Sequence, residues 1–487
     1  MEFVKKQKLQ IILGILYAII ILPMAFSMYN AVPASDDFSF GTHKVSDNLL
    51  LEAIGYSAWC WVHHSGRWLT FFFQKLIVPL NYTGHLGHGY GLYMICVFLV
   101  FFFLLKASLK TIFKKVLSVA GGWLDTIVFV TIAVLFTTYY YSETYNWFTG
   151  ATSYALPLAL LLLMISFLIR YEETKANKYY VGVILAGLIP ANSEVFDVAL
   201  GLLYLYFAFY IYGCDYKDKK QVMKKLLPLI IFIVDGISTV IAPGNYVRQG
   251  VYDVTPNLVS TIKQIIINSL TRVQDIIFDH PFTVFLFALL VVCGIVIGDS
   301  IGRLRIWELI VLVALMVAGI QFPYVHGKAM YVTYLDVRMQ FLVDYTLLIG
   351  MSLFFVKIGG LIADKCEVTI DKRSAVTFTA MLVMYAYLGL IQNYAYLDVI
   401  QVDILKNHGL ISASFSQWDG IISEIENGSG DVVIYRDSEL TWSPYFLYMG
   451  LTDGEVFSAD PDVLFDDRCI MPNEYYGVDS IQLIYED

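Results

Sequence analysis

Apolar runs long enough to cross a bilayer recur from residue 9 to residue 394 of this 487-residue chain. About twenty such residues, wound as an α-helix, span the hydrocarbon core. Inside that core each backbone N–H and C=O must be bonded within its own segment, so a repeated pattern of this kind calls for helices. The runs lie near 9–28, 90–105, 118–138, 151–169, 179–191, 195–212, 226–242, 282–298, 306–322, 339–356 and 375–394. Read as crossings, they predict an all-α polytopic membrane protein with eleven transmembrane helices. The first run follows Lys5, Lys6 and Lys8, is long for a signal-peptide core, and lacks a good cleavage site after it, so it reads as an uncleaved span.

The charges orient the bundle. Lysines and arginines cluster at 5–8, 106–115, 170–178, 217–225, 303–305 and 357–373, all in loops on one side of the predicted topology. By the positive-inside rule that side is cytoplasmic in a cell membrane. The N-terminus is then inside, and an odd number of crossings puts the C-terminal residues 395–487 outside. That segment carries 18 Asp and Glu against Lys406, Arg436 and Arg468, so the formal net charge of −10 hides a mildly cationic membrane body. Phosphate-backbone recognition needs clustered cations on a free surface. With 58% hydrophobic and 15% charged residues, soluble enzymes and nucleic-acid partners are excluded.

Two domains follow: a transmembrane body, 1–394, and an acidic extracytoplasmic unit, 395–487. The body holds a long external first loop, 30–89. Residues 68–80 are too short to span. Residues 257–280 place Ile262, Ile265, Ile266, Leu270, Val273, Ile276 and Ile277 at helical spacing, with Lys263, Gln264, Asn268, Arg272 and Asp275 opposite. This predicts an interfacial helix on the outer surface. In the tail, 431–435 and 480–485 read as strands and 416–427 as a helix, a small α/β unit. The six cysteines are scattered, without a CxxC pair, and support neither a zinc site nor a disulfide framework.

The polar chemistry gathers in the outer loops, where all eight histidines fall. Asp36 and Asp37 are adjacent carboxylates just after the first span, suited to a general base, a cation site, or simply a helix cap. Next come His63, His64 and Arg67, flanked by tryptophans; a guanidinium there could bind a lipid-linked phosphate or belong to an aromatic belt. Zinc ligation by His63, His64, His85 and His88 has no fixed ligand spacing behind it. Further along lie Trp147 and Tyr154 among amides and hydroxyls, Asn192 and Glu194 at the turn between two short spans, and Asn245 and Arg248 where the seventh span emerges. Lys328 and Arg338 flank the tenth span on the same side, while Asp235, inside the seventh, has no evident role.

Taken together, Ser35-Asp36-Asp37-Phe38-Ser39, Ser65-Gly66-Arg67, Trp147-Phe148-Thr149-Gly150-Ala151, Asn192-Ser193-Glu194 and Pro243-Gly244-Asn245-Tyr246-Val247-Arg248 resemble the polytopic GT-C glycosyltransferases, in particular bacterial O-antigen and cell-surface-glycan members. The resemblance implies transfer of a sugar from a polyprenyl-phosphate donor to a glycan or lipid-linked acceptor on the extracytoplasmic face, with inversion. Asp36 or Asp37 would be the base and Glu194 a second carboxylate. Arg67, Arg248, Lys328 and Arg338 would hold the donor phosphate, and His63, His64, Trp147, Tyr154, Asn192 and Asn245 would contact substrate. Some members of the superfamily use a divalent cation, Mg or Mn, and others do not. A flippase or transporter of lipid-linked saccharides is the alternative, but it predicts internal repeats and midplane charges, neither of which stands out. A polymerase or ligase would share the phosphate-binding cations and stays open.

Overall fold

The computed structural model is mostly helical. It describes residues 2–34, 36–41, 48–83, 87–251, 255–298, 305–327, 329, 335–366, 399–437, 454, 456–458 and 472–486. The expected span at 375–394, Lys328, Arg303, His43, His85 and Ser35 lie outside the described residues.

A long helix, α1 (Glu2–Tyr29), leads into three helices of the first loop: α2 (Asp36–Gly41), α3 (Leu49–His63) and α4 (Trp68–Ile77). Then come α5 (Gly89–Leu117), α6 (Gly121–Thr137), and two single turns, α7 (Ser142–Tyr145) and α8 (Phe148–Gly150). A π turn at Ala151–Ala155 feeds α9 (Leu156–Thr174). The body continues with α10 (Asn177–Ala191), α11 (Asp197–Leu205, extended by a π turn to Ile211), α12 (Lys219–Val240) and α13 (Pro243–Val251). It closes with α14 (Leu258–Phe278), α15 (Pro281–Ile297), α16 (Ile306–Gly327) and α17 (Val337–Cys366). The C-terminal part holds α18 (Ile400–Lys406), α19 (His408–Glu426), β1 (Asp431–Arg436), β2 (Val456–Ser458), α20 (Pro472–Tyr476) and β3 (Ser480–Tyr485).

Among the described residues, six helices are long and apolar enough to cross a membrane, or seven if the bent pair α14 and α15 is one crossing. That is fewer than the eleven expected. The runs near 118–138, 179–191, 195–212 and 282–298 do fold as helices, but none exceeds 17 residues. Local punctuation explains their length. Gly121 and Gly298 take φ of 70° and 65° at the ends of α6 and α15, a conformation that favours glycine, and the turn 192–196 separates α10 from α11.

The two ends of the bundle differ in chemistry. At one end Lys110 meets Asp125 at 2.5 Å, Lys225 meets Glu172 at 3.1 Å and Lys115 meets Glu173 at 3.8 Å, so the basic ends of α5, α9 and α12 lie together. The other end carries the first-loop helices. There a buried pair, Glu52 and Lys75 at 3.0 Å, ties α3 to α4, and Lys75 Nζ also donates to the Ser39 carbonyl of α2. The C-terminal part packs on this second end. The His88 ring is stacked between Tyr29 and Phe415, the Gly87 amide donates to Asp419 at 2.6 Å, and Phe38 lies against Tyr475 and Tyr476. Its three strands run in the order β1-β3-β2, with β1 parallel and β2 antiparallel to β3.

The helix α14 turns 85° from α15. Leu258, Val259, Ile262, Lys263, Ile266 and Leu270 are exposed, whereas Thr261, Gln264, Ile265, Asn268 and Ile276 are buried against the protein. Gln264 bonds to Asn268 at 2.8 Å, and the Arg272 guanidinium bridges both oxygens of Asp344, a carboxylate of α17 with no exposed surface. Tyr141 donates to the same carboxylate at 2.7 Å. Arg272, expected on a solvated face, is drawn inward because a buried carboxylate needs a cation. Removing one partner of such a pair costs about 3–5 kcal/mol, whereas replacing both with apolar groups is often neutral. Asp344→Leu is therefore expected to lower the thermal unfolding midpoint in detergent sharply, and Arg272→Met together with Asp344→Leu to restore most of it. No recovery in the double variant would contradict the pairing.

Candidate active site

The geometry separates the two adjacent aspartates completely. Successive residues on a helix point about 100° apart, and at the start of α2 only one of the two is enclosed by the protein. That one is Asp37, which has no exposed surface. Its Oδ1 accepts from the Thr149 amide (3.1 Å) and hydroxyl (2.7 Å), and its Oδ2 accepts from Tyr90 (2.6 Å) and the Ala34 amide (3.4 Å). Burial pushes its carboxyl up to about 6, with these hydrogen bonds opposing the shift. Tyr90 accepts in turn from the Phe148 amide, and Trp147 Nε1 donates to the Ala34 carbonyl. Asp37 is thus the clasp that fastens the first loop to the segment 147–149.

Asp36 faces outward. Its side chain is exposed, yet enough protein surrounds it to strip away water and raise its carboxyl above the ordinary range. Arg338, Arg248 and Arg67 pull it the other way. Asp36 is thus an exposed carboxylate in the field of three guanidinium groups.

Two docked turns carry two of those arginines. The turn His64-Ser65-Gly66 lies backbone to backbone on the end of α12 and the start of α13. A Cβ on Gly66 would fall 1.9 Å from the Thr239 oxygen, and one on Gly244 would fall 2.4 Å from the His64 nitrogen. Only glycine permits this approach. Asn245 locks it, accepting from the Gly66 amide at 3.1 Å and donating to the Thr239 carbonyl at 2.7 Å. Arg67 then begins α4, and Arg248 stands one turn beyond Gly244 on the same face of α13. Asn192 caps α4 from a distance: its Oδ1 accepts from the Leu69 amide (2.8 Å) and the Thr70 amide (3.4 Å), while its Nδ2 donates to Asp235 (3.0 Å). This gives Asp235 a partner that its sequence position did not suggest.

Around these turns the charges form one field. Arg67 Nε lies 3.7 Å from Glu194 Oε1, and Glu194 Oε2 is buried with no hydrogen bond among the described residues. Tyr154, on the π turn before α9, stands against both Arg67 and Arg338; single π turns inside helices often mark functional positions. Arg338 reaches Asp336 (3.3 Å) and Glu143 (4.0 Å) and lies over the Trp147 ring. Among the described residues Arg248 makes no hydrogen bond or ion pair, although Asp36 and His64 both feel its charge. Burial, with Arg248 and Arg67 nearby, pushes the His64 imidazole down to about 3, so it stays neutral at physiological pH.

Asp36, His64, Arg67, Tyr154, Glu194, Arg248 and Arg338 therefore share one neighbourhood. Asp37, Asn192, Asn245 and Trp147 hold it together instead of lining it. His63 turns back on its own helix, stacked on Trp59. Tyr90 and Asp336 were not singled out from the sequence, and Glu143 and Thr149 entered only as members of the aromatic stretch before α9. They are common residue types, and only their partners make them informative. Among the described residues no group of three His, Cys, Asp or Glu side chains could hold a metal ion, and the cations that act on Asp36 there are guanidinium groups. Comparisons with protein-family models, with curated proteins and with solved structures return no match.

The docked turns give a direct test. Gly66→Ala should destabilise the protein by about 1–3 kcal/mol, the usual cost of overpacking. Gly250→Ala, with nothing within 4 Å of its Cβ, is the comparator. Equal unfolding midpoints for the two would show that the turns do not touch.

Proposed function

We propose that this chain is a membrane glycosyltransferase that moves a sugar from a polyprenyl-phosphate carrier to a cell-surface glycan or lipid-linked acceptor. The observation that carries the reading is a single exposed carboxylate, Asp36, within the field of three arginines. Such transfer needs a base for an incoming hydroxyl and fixed cations for a departing phosphate, and the two must lie close together.

In this reading the acceptor hydroxyl gives its proton to Asp36 as its oxygen bonds to the anomeric carbon. The bond from that carbon to the phosphate oxygen breaks on the opposite face, so the configuration inverts. The electron pair leaves with polyprenyl phosphate, and Arg248, Arg67 and Arg338 balance its growing charge. Arg248 has the freest guanidinium of the three and is assigned the closest contact. Glu194 holds Arg67 in place, and neutral His64 with Tyr154 offers uncharged hydrogen bonds to sugar hydroxyls. Beside Asp197 an apolar groove of about 300 Å³, walled by Leu200, Leu229, Phe232 and Ile237, opens between α10, α11 and α12 and would take the first isoprene units.

The topology assigned to this function has eleven crossings in the cell membrane, counting the short helices and 375–394. The lysine-rich end lies in the cytoplasm, and the acidic α/β unit is outside.

A deletion strain complemented with variants tests the proposal through the composition of its surface glycan. Loss of one sugar decoration on deletion, restored by the natural chain, is expected. Asp36→Asn should lower transfer by about 10²–10⁴-fold, and Arg248→Ala by about 10²–10³-fold, both at normal protein level. Unchanged glycan in the deletion strain would sink the reading. Loss of the whole polymer would point to a polymerase instead.

A further inference from the structure

We propose that the lysine-rich end of the bundle, remote from Asp36, holds a second binding site that takes a phosphate-bearing anion. A cavity of about 920 Å³ opens there between α5, α9, the π turn after α11, and the start of α16. Five cations line it, Lys110, Lys114, Lys115, Arg170 and Arg305, against two carboxylates, Glu173 and Glu308. Both carboxylates are engaged: Glu173 lies 3.8 Å from Lys115, and Glu308 lies 3.8 Å from Arg305 and accepts from Tyr210 at 2.7 Å. Lys110 is paired with Asp125. Among the described residues Lys114 and Arg170 have no carboxylate partner; Arg170 reaches only the Thr111 hydroxyl, at 3.5 Å, and the Tyr179 ring.

Uncompensated cations from separate helices, facing one cavity, repel each other until an anion enters. A planar guanidinium beside an ammonium suits phosphate oxygens, which accept several hydrogen bonds at once. The cavity is also amphiphilic. It follows α5 from Ala107 to Ser118, a rise of about 16 Å, and its walls include Ala107, Ile169, Phe207 and Ile211. A soluble phosphate would use only the cations, whereas an anionic phospholipid would place its headgroup on them and its first methylenes on the apolar wall. Basic pockets between transmembrane helices bind such headgroups on the cytoplasmic side, and the lipid is the source that the walls favour.

The test uses the full-length protein in a neutral detergent, titrated with dioctanoyl phosphatidylglycerol, dioctanoyl phosphatidylcholine or inorganic phosphate and read by native mass spectrometry and thermal shift. Phosphatidylglycerol should bind at least about tenfold more tightly than phosphatidylcholine, and Lys114→Gln with Arg170→Gln should weaken it by about tenfold or more. Both side chains are exposed, so the double variant should keep the unliganded unfolding midpoint; if it does not, Lys114→Gln alone carries the comparison. Binding of inorganic phosphate alone, lost in the variant, would support the site and assign it to a soluble anion. Equal affinity for the two lipids with no phosphate binding, or anion binding unchanged by the substitutions, would overturn it.

Discussion

A carboxylate with no exposed surface survives in a protein only if hydrogen bonds replace the water it has lost. Asp37 is that group here, and the outer end of the bundle is arranged around it. Its acceptor oxygens hold an amide and a hydroxyl from Thr149, a phenol from Tyr90 and the amide of Ala34. Those donors come from three separated stretches of chain, so one side chain sets where α2, the start of α5 and the turn before α9 meet. The neighbouring Asp36 inherits its direction from this clasp. With one aspartate committed inward, the other is left exposed in the field of Arg67, Arg248 and Arg338.

The arginines are positioned by backbone contact more than by their own bonds. Gly66 and Gly244 let two turns approach closer than any side chain would allow, and Asn245 and Asn192 satisfy the amides exposed by that approach. Arg67 and Arg248 are thereby both set close enough to act on Asp36 and His64. Glu194 lies 3.7 Å from Arg67, and His64 stays neutral. The result is a positive field held ready by rigid elements, which is the condition under which fixed charges stabilise a developing anion well.

The helical membrane body was legible in the apolar runs, and the separation of a lysine-rich end from an end rich in histidine and aspartate was legible in the loops. The motifs around Asp36, Arg67, Glu194 and Arg248 pointed to one neighbourhood even though 212 positions separate the first from the last. What each residue does there was not legible. Asp36 and Asp37 are identical in composition and adjacent in sequence, and only the donors around one of them decide which is locked. Asn192 and Asn245 read as substrate contacts, but their side-chain amides are engaged within the protein, Asn245 by backbone groups and Asn192 by backbone amides and Asp235. The pattern of α14 showed an apolar and a polar face, but the stripe that meets the protein draws on both, Gln264 and Asn268 with Ile265 and Ile276, and Arg272 turns to Asp344, 72 positions beyond it. Hydropathy also could not say where short helices stop, because positive-φ glycines and a polar turn end them.

The account stands on Asp36 being reachable in a positive field while Asp37 is sealed. Thiol labelling measures this directly. Asp36→Cys and Asp37→Cys would each be treated, in intact membranes, with a charged methanethiosulfonate reagent and compared with the natural chain. The account predicts labelling at position 36 alone, faster with the anionic sulfonate than with the cationic ammonium reagent, because three guanidiniums draw anions in. Equal labelling at both positions, or faster reaction with the cationic reagent at position 36, would contradict it.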